Sequence, residues 1–171
     1  MKKLLTGFFI LISSFAFSQQ KIEYPSIGLS FEVPAGWIGQ EYGDSYLIGH
    51  ETIPGFVIIS GHEANDVASL INEAKIGMQD ENGTNLQPSS TPQKFGTSGV
   101  SCFYTGTMEW TEAKAYAIGL LSPNSGGIVI FGAATNDLFS DTHTKLVEQI
   151  ARSVVFTKIV KPKPADQWKE M

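Results

Sequence analysis

Two stretches of helical period stand in a chain that otherwise alternates, and that contrast limits the folds open to it. Val67, Leu70, Ile71, Ala74 and Met78 recur at the spacing of one helix face, with Asn65 or Asp66 placed to cap the start and Asn82-Gly83 to stop it. Leu146, Val147, Ile150 and Val154 mark a second face, with Asp137 or Ser140 as cap and Arg152 in the last turn, where a cation suits the helix dipole. The rest of the chain reads as short alternating runs punctuated by turn residues. Ile27, Leu29, Phe31 and Val33 share one side before Pro34-Ala35-Gly36, and a hairpin is expected over 45–61 around Ile53-Pro54-Gly55. Further runs cover 94–97, 100–110, 114–121 and 127–133, with a last short strand over 154–158. Short turns join antiparallel neighbours. The expectation is therefore an α+β domain: a mostly antiparallel sheet of roughly six or seven strands, with two main helices near 66–81 and 139–152 burying their apolar faces on it. Asn82 to Pro92 is rich in Gly, Pro, Ser and Thr and reads as a surface loop, whose Asn82-Gly83-Thr84 glycosylation pattern is idle in a bacterial chain.

The N-terminus reads as a cleavable export signal. Lys2 and Lys3 precede an apolar run from Leu4 to Phe17, and Ala16-Phe17-Ser18 sets small residues before a cut at Gln19. The run falls short of the about 20 residues that span a bilayer, and no cysteine lies near the cut to take a lipid. The expected organisation is a signal peptide over 1–18, one domain over 19–158 and a linker or disordered tail over 159–171. Lys161-Pro162-Lys163-Pro164 extends rather than packs, and Trp168 follows it. The expected location is periplasmic or secreted, with no membrane span after cleavage.

The charge disfavours nucleic acid as a partner. Twelve Lys and Arg face 17 Asp and Glu, for a net charge of −5 that becomes more negative once Lys2 and Lys3 are removed. Nucleic-acid binders need a basic face. Cys102 is the one cysteine, which precludes an intrachain disulfide; in a strand-like run it reads as a small buried hydrophobe.

A search for chemistry assigns no catalytic or metal-ligating residue, and no cofactor. His50-Glu51 and His62-Glu63 approach one another if the hairpin pairs tightly, but neighbouring strand residues point to opposite faces, which works against three or four converging ligands. Glu109-Trp110 with Glu112 suggests a sugar platform or, more plainly, surface. Gly43-Asp44-Ser45 resembles the nucleophile block of the GDSL-type lipases and esterases, with Thr135-Asn136-Asp137 and Asp141-Thr142-His143 as faint counterparts of later blocks. Ala134 stands where that family has glycine, Asp141 and His143 are two apart where it has three, and the last two blocks nearly touch. That family also has a parallel α/β fold.

A broader resemblance lies at the two ends of the domain. The run Ile27-Gly28-Leu29-Ser30-Phe31-Glu32-Val33-Pro34-Ala35-Gly36-Trp37 resembles the opening of PsbP-like and DcrB-like domains, in which an apolar strand ends in Pro-x-Gly-Trp. Ser153-Val154-Val155-Phe156 is similar to their ending, so the resemblance covers about residues 22–158. It implies a non-catalytic accessory or binding module for a protein or small ligand and transfers no site residues. The alternative is a secreted hydrolase using Ser45 or a carboxylate pair.

Overall fold

The computed structural model describes residues 19–157. The expected signal peptide and tail, Trp168 included, lie outside the described residues. The chain enters as β1 (Gln20–Tyr24), passes a 3-10 turn at Pro25–Ile27 and returns antiparallel as β2 (Leu29–Val33). At Pro34-Ala35-Gly36 it turns, with the Trp37 N–H donating to the Pro34 carbonyl at 3.2 Å. This Pro-x-Gly turn carries the chain out of one sheet and into the next. There follow β3 (Trp37–Tyr42), β4 (Ser45–His50), β5 (Phe56–His62), α1 (Val67–Ile76), β6 (Met78–Gln79), β7 (Asn85–Pro88), β8 (Gln93–Phe95), β9 (Gly99–Met108), β10 (Thr111–Leu121), β11 (Gly127–Thr135), α2 (Asp141–Ser153) and β12 (Val155–Phe156).

The large sheet has nine strands in the order β3-β4-β5-β11-β10-β9-β7-β6, with β8 also paired to β9. The small sheet is β1-β2-β12. Every pairing is antiparallel. One face of the large sheet packs on α2 and the small sheet: Ile48, Val57, Ile59, Ile118 and Ile130 meet Leu146, Val147 and Ile150 of α2 and Leu29, Phe31 and Val33 of β2. The helix presents that stripe because Leu146, Val147 and Ile150 fall on one side of it. The opposite face packs on α1, which lies over β7 and β9 and buries Leu70. Because α1 covers only that end, Phe56, Ile58 and Val129 on β5 and β11 stay half-buried. This open part of the sheet positions the site described below.

The α+β architecture, the antiparallel sheet and the two helices agree with expectation. The strand number does not: among the described residues twelve strands in two sheets replace six or seven in one. The additional strands are edges or stubs. β1 buries only Tyr24 and β3 buries no residue fully, so neither shows strict apolar alternation. β7 lies inside the stretch expected to be a loop, and its one buried residue, Leu86, is its whole signal. The first helix also stops early. Gly77 ends it, and Met78, expected on its face, begins β6 instead. Asp66 is the cap, its carboxylate accepting from the Ser69 N–H at 2.7 Å. No helix among the described residues is long and apolar enough to cross a membrane.

Candidate functional site

The residues singled out for catalysis or metal binding are not brought together. Ser45 begins β4, where its hydroxyl meets the Ser60 hydroxyl at 2.7 Å. His143 is buried at the other end of that hairpin, its Nε2 donating to the Pro54 carbonyl at 2.7 Å. At about 3.3 Å per residue, the length of β4 separates them, and Asp141 is an exposed residue at the start of α2. His50 and His62 also end up at opposite ends of the β4–β5 hairpin. His50 Nδ1 accepts from the Thr52 and Ile53 N–H groups at 3.1 and 3.2 Å, while His62 Nε2 faces the Leu120 carbonyl at 3.1 Å and its buried Nδ1 has no partner. Among the described residues no three metal-ligating side chains cluster. Cys102 is buried, with its thiol directed at the Ser90 carbonyl.

The feature that stands out is the loop between β9 and β10. Met108 pairs with Thr111, so Glu109 and Trp110 are the two residues of a hairpin loop. Both have positive φ, 47° and 65°. Such a loop favours Asn-Gly, because left-handed backbone presses a side chain's Cβ against the following carbonyl. This chain spends strain on a glutamate and a tryptophan there, and strain of this kind is a pointer to function. Trp110 is 80% exposed. One side of it rests on Gly83: a Cβ at that residue would lie 2.6 Å from the ring. The Trp110 N–H donates to the Gly83 carbonyl at 3.3 Å, and the Thr107 hydroxyl to the same oxygen at 3.0 Å. Only a glycine, at φ +89°, gives the ring this platform.

Beside the loop lies a depression of about 420 Å³. Its walls are Pro54, Gly55 and Phe56 at the start of β5, Met108 and Glu109, Thr111 and Ala113 of β10, and Ala133, Ala134, Thr135 and Leu138 at and beyond the end of β11. Leu138 is 45% exposed. The alanines make the hollow: Ala113 and Ala133 stand on one face where larger side chains would fill it. His143 holds the loop in place through Pro54, and Gly55 (φ +97°) leaves no room for a Cβ against the Ala133 carbonyl.

The surroundings are acidic. Glu109 lines the depression and Asp137 accepts from the hydroxyl of its wall residue Thr135, while Glu112 lines a separate hollow and Asp80 and Glu81 belong to the turn that carries Gly83. None of these carboxylates makes an ion pair among the described residues. Asp80 is held below its ordinary 3.8 by hydrogen bonds from Thr84 and then Asn82, so the charge is present at any physiological pH. The sequence marks Glu109-Trp110 but suggests the end of a strand there. The usable signal is two alternating runs meeting across two residues, neither of them glycine. Leu138, Phe56 and Pro54 leave no signal, since they converge from distant segments.

This arrangement, two sheets with a helix on each side of the larger one, is shared with solved structures, Mog1 among them. A protein of known structure from Bacteroides thetaiotaomicron is similar over 85% of this chain, with TM-score 0.55 and 16% identity. The chain spans about half of that protein, 51% of its length. The structure of a point mutant of the protein Mog1 is similar over 82% of this chain and 96% of its own, with TM-score 0.53 and 8% identity. The Saccharomyces cerevisiae Ran-binding protein Mog1p matches over 81% of this chain and 95% of its own, at TM-score 0.49 and 8% identity. At these identities the likeness is one of fold. No family model and no curated protein matches the sequence.

Proposed function

We propose that this chain is an exported, non-catalytic binding module of the PsbP/DcrB-like kind, and that it holds a protein partner in the groove beside Trp110. The observation that carries the reading is the Glu109-Trp110 loop: a strained hairpin whose Glu109 lines an apolar hollow while its neighbour Trp110, resting on Gly83, stays 80% exposed. Tryptophan is enriched among the residues that dominate interface energy, and this one stands exposed in the loop that walls the hollow. The hollow is mostly apolar with the carboxylate of Glu109 in its wall, so the partner's matching segment carries Lys or Arg next to an apolar anchor. A cation over the free face of Trp110 adds a further attraction. Export is supported by the tripartite N-terminus, with the mature chain starting at Gln19. N-terminal sequencing of the protein from its own cell envelope or medium tests that part: Met1 retained in a membrane fraction would refute it.

The binding part is tested by capture. Mature wild type, Trp110→Gly and Leu138→Glu are immobilised side by side and exposed to the envelope fraction of the source cell. The expected result is one protein retained by the wild type, weakened at least tenfold by either substitution and released by salt. The interaction is then reconstituted with that protein purified. Equal retention by all three forms would contradict the site.

A further inference from the structure

The outer edge of β3 is bare among the described residues. β3 is the terminal strand of the large sheet and pairs only with β4. Edge strands are usually guarded by lysine, proline, a bulge or a covering element. Trp37-Ile38-Gly39-Gln40-Glu41-Tyr42 contains neither lysine nor proline, and all six residues keep an unbroken register with β4. Two large apolar side chains on it lie open: Ile38 is 72% exposed and Tyr42 65%. They share a face with Gln40, two residues from each.

The β3–β4 loop decides which backbone groups face outward. Tyr42 pairs with Ser45 across the two-residue loop Gly43-Asp44. The residues flanking such a loop exchange their hydrogen bonds, and hydrogen-bonded and non-bonded pairs then alternate along the ladder. Tyr42, Gln40 and Ile38 therefore direct their N–H and C=O groups at β4. Trp37, Gly39 and Glu41 direct theirs into the open.

We propose that β3 is a self-complementary dimer edge, which pairs antiparallel with β3 of a second copy about a two-fold axis through Gln40. In that register Gly39 and Glu41 exchange hydrogen bonds with Glu41 and Gly39 of the second copy, using the outward groups. Ile38 stands opposite Tyr42 of the second copy on one face, an aliphatic–aromatic cross-strand pair formed twice. On the other face each Glu41 meets a glycine, so no like charges oppose. A slip by one residue would put Ile38 against Glu41 and set side chains on mismatched faces. The second copy is thus the occupant whose charges and apolar residues match. The contact is small: six-residue strands bury less than about 1,200 Å², the range of weak and transient interfaces. The expected dissociation constant is micromolar.

The register is tested at residue 40, which is exposed and outside the groove beside Trp110. In mature Gln40→Cys the two thiols would face each other across a non-hydrogen-bonded pair, at about 4.5 Å between Cα atoms, within disulfide range. Air oxidation should then give a covalent dimer, while Glu41→Cys, opposite glycine, stays largely monomeric. Cys102 is buried and does not compete. In sedimentation, wild type should self-associate at tens of micromolar. Gln40→Lys and Gln40→Glu should each be monomeric, and an equimolar mixture of the two should restore the dimer. A monomeric wild type at several hundred micromolar would overturn the proposal. So would a dimer unaffected by either charge, or equal crosslinking at 40 and 41. Loss of partner capture with the dimer intact would instead strike the groove and leave this proposal standing.

Discussion

The Nε2–H of His143 donates to the carbonyl oxygen of Pro54 at 2.7 Å, while its Nδ1 accepts the Ser140 N–H at 3.1 Å. The ring is 1% exposed, and the two bonds together define the neutral tautomer with its proton on Nε2. One side chain thereby caps α2 and pins the loop that walls the groove. His143→Phe keeps the bulk but orphans a buried N–H and a carbonyl. The expected loss is about 2–4 kcal/mol in denaturant unfolding, with weaker partner capture from the loosened loop. An unchanged unfolding midpoint would show that the ring's polar contacts contribute nothing.

Trp110→Gly should separate function from stability. Glycine adopts the left-handed backbone without the cost of a Cβ, about 1 kcal/mol, and the indole buries little of its own surface. The melting temperature is expected to hold or rise while binding is lost. A marked fall in melting temperature would mean that Trp110 is a structural residue of this hairpin.

Acid should loosen two local caps. Asp66 is held below its ordinary 3.8, first by the Ser69 N–H; Asp80 is held down first by Thr84. With both lowered in the folded state, the unfolded chain takes up these protons first. Their contribution is complete above about pH 4 and is lost as pH falls below it. Melting followed from about pH 6 to about pH 2 should show a shallower acid slope in Asp66→Asn/Asp80→Asn than in wild type. Parallel slopes would contradict the assignment.

Alkali should act through Tyr104, whose hydroxyl donates to the Ala74 carbonyl at 3.1 Å and ties β9 to α1. Burial, and then Cys102 beside it, lifts this phenol well above its ordinary 10.0. The unfolded chain ionises first, so the stability present below about pH 10 is lost as pH rises above it. Tyr104→Phe is expected to cost about 0.5–1.5 kcal/mol at neutral pH and to flatten that alkaline decline. An ultraviolet titration in which Tyr104 ionises along with the exposed tyrosines would count against it.

The parts of this fold visible in the sequence are those that bury a stripe. α2 shows itself through Leu146, Val147 and Ile150, and the β9–β11 meander through runs such as Ile128 and Ile130. β3 is invisible there because an edge strand with Ile38 and Tyr42 outward has no alternation to read. β7 is hidden because Leu86 is its one buried residue. The site is harder still. Pro54, Met108, Ala133 and Leu138 come from separate segments, and only tertiary pairing makes a hollow of them. What the sequence does contain is Glu109-Trp110 between two alternating runs, where turn chemistry asks for glycine.

Whether a protein sits against the groove beside the Glu109-Trp110 loop is read directly by site-specific photocrosslinking. A photoreactive amino acid replaces Leu138 in one form of the protein. In another it replaces Lys114, an exposed residue of β10 outside the walls of the groove. Each form is expressed in the source cell and illuminated. A single discrete protein adduct is expected from position 138, abolished by Trp110→Gly, and none from position 114. No adduct at 138, or the same adducts at both positions, would contradict it.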